Sequence, residues 1–245
     1  VVPMSLGHVE NVLLYALIPT LLTILGSGLI FLRVSIEERF IDSMMGFASG
    51  LMIYVAFVEL LLPSLSDSSL LTALSAFLSG FLMIKVLDIL IPHVRIIRDD
   101  ATARIRRKTI LVASAIALHN IPEGLAVGSA AMFSSEVGLN VALAIGIQDF
   151  PEGYVVALSA FIALRSVWMG FIIGVFSAIS EYLAATTALV GLINPDISLP
   201  FLMMLSASAM IYVVVHEVAP EIFGHEHDEY ATVGFIIGIL FGLFI

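Results

Sequence analysis

Seven stretches of this chain are apolar for long enough to cross a lipid bilayer, and that fixes the solvent in which it folds. They run from Val12 to Leu32, Ile41 to Leu62, Leu70 to Pro92, Thr109 to Phe133, Gly138 to Leu164, Val167 to Ile193 and Pro200 to Ala219. About 20 residues of helix span the ~30 Å hydrocarbon core. Inside it each backbone polar group needs a partner from the protein, so runs of this length read as helices. An eighth run, Thr232 to Ile245, is short for a full crossing. The loops between runs are short, which predicts an all-α membrane protein: one bundle of eight transmembrane helices forming a single domain over 1–245. The first run lacks a basic leader and a small-residue cleavage site and reads as a retained helix. With 60% hydrophobic and 12% charged residues, a soluble globule is excluded. With no cysteine, so are disulfides and thiolate metal sites.

Orientation follows from the ten Lys and Arg residues. Arg33 and Arg39 fall between runs one and two, and Arg95, Arg98, Arg104, Arg106, Arg107 and Lys108 between three and four. Arg165 falls between five and six, and Lys85 lies within run three, three residues from its expected partner Asp88. The alternate loops carry none. The positive-inside rule therefore puts the basic loops in the cytoplasm and both termini outside. Setting topology accounts for the basic stretch 93–108, and no nucleic-acid role is assigned to it.

The acids are placed differently. Glu59, Asp88, Glu123, Asp149, Glu152, Glu181 and Glu217 all fall within the apolar runs. An ionised carboxylate at the bilayer centre costs at least about 2.5 kcal/mol, so a positive partner is expected to meet this set.

The partner is suggested by a phrase written twice, "HNIPEG" at 119–124 and "QDFPEG" at 148–153. At about 100° per residue, Glu123 projects between His119 and Asn120, and Glu152 projects between Gln148 and Asp149. Two such helices face to face make adjacent polar pockets that share their glutamates, a binuclear metal site at mid-membrane. Pro122 and Pro151 free the carbonyls of Leu118 and Ile147 and are expected to kink both helices there. Carboxylates with an imidazole and two amides suit zinc, cadmium, iron or manganese better than calcium or magnesium. Glu181, in "AISEYLAA", adds a fourth carboxylate, and two divalent ions would balance the four charges. Polar groups can also simply join membrane helices, but packing alone does not need so many acids. The pairs Gly46/Gly50, Gly124/Gly128, Gly170/Gly174 and Gly234/Gly238 read as close helix contacts, and such faces make a homodimer reasonable.

The two phrases on consecutive helices, followed by "SE" and then "HEVAPE", resemble the ZIP (zinc/iron permease) metal transporters of bacterial type, over essentially the whole chain. The resemblance implies import of a divalent metal, zinc foremost, into the cytoplasm across a bacterial or archaeal plasma membrane. No prosthetic group and no enzymatic activity are implied. By motif position it assigns His119, Glu123, Gln148 and Glu152 to one ion, and Asn120, Glu123, Asp149, Glu152 and Glu181 to the second. Met52 in "SGLM" becomes a candidate ligand of the first. The chain departs from the many members that carry a long histidine-rich loop between helices three and four; its loop there is short and basic, with His93 alone.

Further candidates flank the centre. His216, Glu217 and Glu221 sit toward the cytoplasmic mouth as an exit route, continued by His225 and His227 in "HEHDE". Glu59 and Asp67 lie at the outer level as an entrance. Transport by alternating access is the reading favoured. A metal-selective channel is the alternative, and an intramembrane metallohydrolase a distant one, since "HEVAPE" lacks the second histidine of HExxH.

Overall fold

The computed structural model describes residues 6–32, 37–90, 119–223 and 228–245. Arg33, the basic stretch 93–108, His225 and His227 lie outside the described residues, as does the side chain of Asp88. Lys85 Nζ donates to Tyr212 Oη at 3.5 Å.

The described residues are helical with no strand. Helix α1 is Leu6–Gly28, with a 3₁₀ extension Leu29–Leu32. Helix α2 is Glu38–Tyr54, running on through a π-helical segment Val55–Leu61 into Leu62–Ser66. Then follow α3 (Leu70–Leu90), α4 (119–133), α5 (Ser135–Leu164) and α6 (Val167–Thr187) with a 3₁₀ tail Ala188–Ile193. Helix α7 is Pro195–Val213, continued by a π-helical segment Val214–Val218 and Ala219–Ile222. Helix α8 is Asp228–Gly242. Six of these are long and apolar enough to cross a membrane: Gly7–Leu32, Glu38–Ser66, Leu70–Leu87, Ser135–Leu164, Val167–Gly191 and Pro195–Ile222. Large apolar side chains such as Leu14, Leu71, Trp168 and Ile193 cover the outside of the bundle, the inverse of a water-soluble surface. The chain is an integral membrane protein.

Local chemistry sets the joints. Arg165, in the left-handed region at φ 55°, ends α5 by donating its N–H to Phe161 O at 2.7 Å, and the next residue, Ser166, caps α6 through the Met169 N–H. The helices keep α-helical winding at Pro122 and Pro151, where kinks are expected. The π-helical segments precede Pro63 and Pro220. In α4 and α5 the glycine two residues beyond the proline is pressed onto a neighbouring backbone, which holds the helix in register.

That pressing is general in this bundle. A Cβ on Gly46 or Gly50 would stand 2.1 Å from the carbonyl oxygen of Ala231 or Phe235 in α8, and one on Gly234 or Gly238 would stand 2.1 Å from that of Ser43 or Phe47 in α2. Only glycine permits this approach, so the GxxxG faces are consumed within the chain. The homodimer expectation loses the glycine faces on which it rested. Helices α1, α5 and α6 pack closely on one another, whereas α8 packs on α2 and α3 on α7. The buried apolar core includes Met52, Val55, Val127, Ile145, Met203 and Met210.

Candidate metal centre

Two supports hold the doubled phrase. Gly124 of the first copy faces α6, where a Cβ would lie 2.3 Å from Glu181 O, and Gly153 of the second faces α1, 2.4 Å from Thr23 O. Each phrase is thus seated backbone to backbone on a different helix, and its acids are positioned by rigid elements. Asn120 donates its amide to the Oγ of Ser177 at 2.9 Å and also to the Ser177 carbonyl. Its NH₂ group is thereby engaged by α6, and its Oδ1 is kept as an acceptor. Gln148 donates to Glu123 Oε1 at 2.7 Å, tying the two phrases together.

The acids converge. Ligand oxygens of Glu123, Asp149 and Glu152 all lie within 4.8 Å of one another, with Glu123 and Asp149 buried. Glu181, 2% exposed, lies within electrostatic reach of Glu123 and Asp149, and His119 of Glu152. Two unit charges 4.8 Å apart repel by about 3.5 kcal/mol at an effective dielectric near 20. Cations or protons must offset that repulsion. Among the described residues, Gln148 Oε1 and Glu181 Oε1 are buried acceptors without a hydrogen-bond partner, which is the chemistry a bound cation would complete.

These groups line or adjoin a cavity of about 340 Å³ whose wall includes Thr23, His119, Asn120, Glu123, Asp149 and Glu152, with Glu181 beside them. The wall continues along the later part of α5 (Val155, Val156, Ser159), the π-helical segment and end of α7 (Glu217, Val218, Glu221) and the early part of α2 (Met45). All of these lie on one side of the acids. On the other side the residues that follow in α2 and α4 and precede in α5 and α7, among them Met52, Val127, Ile145 and Met210, are fully packed. Among the described residues, the cavity therefore extends toward one end of the bundle and is bounded by apolar packing toward the other.

The flanking candidates separate. Glu217 and Glu221 are on the cavity wall, and Glu217 Oε2 stands 3.8 Å from His119 Nδ1. His216, one residue earlier, is exposed and stacks on Tyr212 with ring centroids 4.8 Å apart, outside the lining. Met52 is 1% exposed within the apolar core and does not line the cavity; Met45, two turns earlier, does. Glu59 is half-buried in the π-helical segment of α2 and accepts from Tyr54 Oη at 3.4 Å, and Asp67 is exposed at the end of that helix. Neither borders the cavity. Thr23, Ser177 and Ser159 were missed by motif reading. The signal for Thr23 was the small-residue stripe Thr23, Gly26, Ser27 at helical spacing in α1.

A membrane-embedded bundle with acids, amides and an imidazole gathered at an interior cavity defines the class: an integral membrane protein whose centre carries a donor set suited to a cation. Comparison with known proteins narrows this. The family model described as ZIP Zinc transporter matches residues 96–245. Similar proteins include "Zinc transporter ZIPB" of Bordetella bronchiseptica, 32% identical over 86% of this chain and 72% of that protein. "Zinc transporter ZupT" of Chlorobium phaeovibrioides is 31% identical over 93% of each. "Zinc transporter GufA" of Myxococcus xanthus is 32% identical over 72% of this chain and 70% of that protein. The chain belongs to the ZIP zinc transporter family. It is a divalent-metal transporter of that family and not an enzyme.

Proposed function

We propose that the protein imports divalent transition metals, zinc foremost, into the cytoplasm by alternating access through a two-ion site. The observation that carries this is the convergence of Glu123, Asp149 and Glu152 oxygens within 4.8 Å at the head of a cavity that extends to one side. In this reading His119, Glu123, Gln148 and Glu152 hold the first ion, with Met52 reaching it only through rearrangement of the apolar core. Asn120, Glu123, Asp149, Glu152 and Glu181 hold the second. Zinc is favoured by the names of the similar proteins. Cadmium, iron and manganese suit the same donors, since selectivity within this group is set by geometry and availability.

Direction rests on the basic loops. The cavity extends toward the end of the bundle where the positive-inside rule puts the cytoplasm, which supports reading this state as inward-facing. The apolar packing around Met52, Ile145 and Met210 is then the closed outer gate. Alternating access is supported over a channel by that apolar packing on one side. Release would pass Glu217 and Glu221 toward His225 and His227, and entry would pass Glu59 and Asp67. The single domain spans 1–245 with eight crossings, α4 and α8 completing the six long spans, and with both ends outside a bacterial plasma membrane.

The test is the number of ions bound. Crystals soaked in zinc should give two anomalous peaks, one beside His119 and one beside Asp149, both touching Glu123 and Glu152. A single peak at saturation would reduce the centre to a one-ion site.

A further inference from the structure

We propose that Thr23, on α1, supplies a neutral oxygen ligand to the cation in the Asp149 pocket. The inference rests on the two-ion reading above and adds to it a donor from a helix that carries neither copy of the doubled phrase.

The geometry points there through one hydroxyl. Thr23 is 4% exposed, borders the cavity, and its Oγ1 is placed to donate to Asp149 Oδ2 at 3.4 Å. Its single proton has a nearer acceptor: Oγ1 donates to Pro19 O, one turn back, at 2.9 Å. With the proton turned to Pro19, the lone pairs of Oγ1 are left to face the carboxylate, an arrangement of two acceptors that a cation between them would satisfy. The spacing fits. Oxygens that share a tetrahedral ion at about 2.0–2.2 Å each stand about 3.3–3.6 Å apart.

The backbone that carries this oxygen is held from both sides. Thr23 O is the atom a Cβ on Gly153 would strike at 2.4 Å, and Phe150 O is the atom a Cβ on Gly26 would strike at 1.9 Å. One turn on, Ser27 Oγ donates to Thr23 O at 2.8 Å and reaches Gly153 O at 3.1 Å. Helix α1 is thus locked onto the segment that carries Asp149 and Glu152, with its one cavity-facing hydroxyl beside Asp149. A threonine that served only packing would be replaceable by valine, which has nearly the same shape.

The experiment compares Thr23→Val, which removes the oxygen and keeps the branch, with Thr23→Ser, which keeps the oxygen, in the full chain in detergent. Zinc binding is followed by calorimetry and the zinc environment by X-ray absorption. The second zinc should bind about ten- to a hundredfold more weakly to Thr23→Val, with the first within about twofold of wild type. The mean number of oxygen and nitrogen neighbours should fall, and Thr23→Ser should retain wild-type values. Circular dichroism of the metal-free proteins reports folding, and Thr23→Ala replaces Thr23→Val if the latter does not fold. Unchanged second-ion affinity in the variant lacking oxygen would overturn the proposal and leave the site intact. So would weakened affinity with an unchanged neighbour count, which would make Thr23 a hydrogen-bond partner of Asp149 only. Failure of the underlying reading looks different: wild type would bind no second zinc, and Asp149→Asn would change nothing.

Discussion

Replacing Gly153 by alanine should damage the metal centre without touching a ligand. The added Cβ would sit 2.4 Å from Thr23 O, where ordinary contact begins near 3.4 Å, so α5 must move about 1 Å away from α1. No rotamer can relieve this, because the struck atom is backbone. Overpacking of this kind costs about 1–3 kcal/mol. Asp149 lies one turn before Gly153 on the same helix and moves with it, stretching its 3.4 Å contact with Thr23. The assay is thermal unfolding of the purified protein in detergent, with and without zinc. Gly153→Ala should melt lower without metal and should also lose most of the zinc-induced rise. Gly28→Ala is the control, since a Cβ there meets nothing within 4 Å, and it should behave as wild type. If Gly153→Ala melts normally and keeps its full response to zinc, the seating of the second phrase on α1 does not position the site.

Glu152→Ala should lower occupancy of both ions and nearly abolish transport, read by metal-to-protein stoichiometry together with uptake into vesicles. Asp149→Asn combined with Glu181→Gln should empty one pocket only, leaving a single anomalous peak beside His119. Glu217→Gln should slow release of metal with little loss of equilibrium affinity, whereas His216→Ala, altering a side chain stacked on Tyr212 away from the cavity, should change release much less; stopped-flow efflux compares the two. A cysteine placed at Thr102 on this cysteine-free background should resist impermeant thiol reagents applied from outside, and labelling there would reverse the topology.

The elements with strong local signals were legible in the sequence. Hydrophobic runs locate the long helices because bilayer thickness sets their length; the run beginning at Val167 starts where Ser166 caps its helix, whereas α5 begins three residues before the run that starts at Gly138. The doubled phrase announces its acids because ionisable groups in apolar runs stand out. The GxxxG pairs announce close contacts but not their partners: Gly46 and Gly50 meet α8 of the same chain and not a second copy. Pro122 and Pro151 draw attention as kink sites, whereas the π-helical segments that precede Pro63 and Pro220 carry no comparable signal in the sequence. The orientation of adjacent residues is equally hidden: His216 and Glu217 read as one cluster, and the bundle separates them by turning one toward the cavity and one toward Tyr212. Thr23 and Ser177 were invisible for a different reason. A hydroxyl in a membrane helix ordinarily bonds its own backbone one turn back, as Thr23 does with Pro19, and only the neighbouring helix reveals what its other side faces.

The central claim is that the buried carboxylates carry the metal across, and zinc flux into vesicles containing the purified protein tests it most directly. Wild type should take up zinc down its gradient, and Glu123→Gln with Glu152→Gln should reduce the initial rate to that of empty vesicles while the protein remains folded and inserted. Wild-type flux in that double variant would contradict the account, because the ions would then cross by a route that does not use the convergent acids of the doubled phrase.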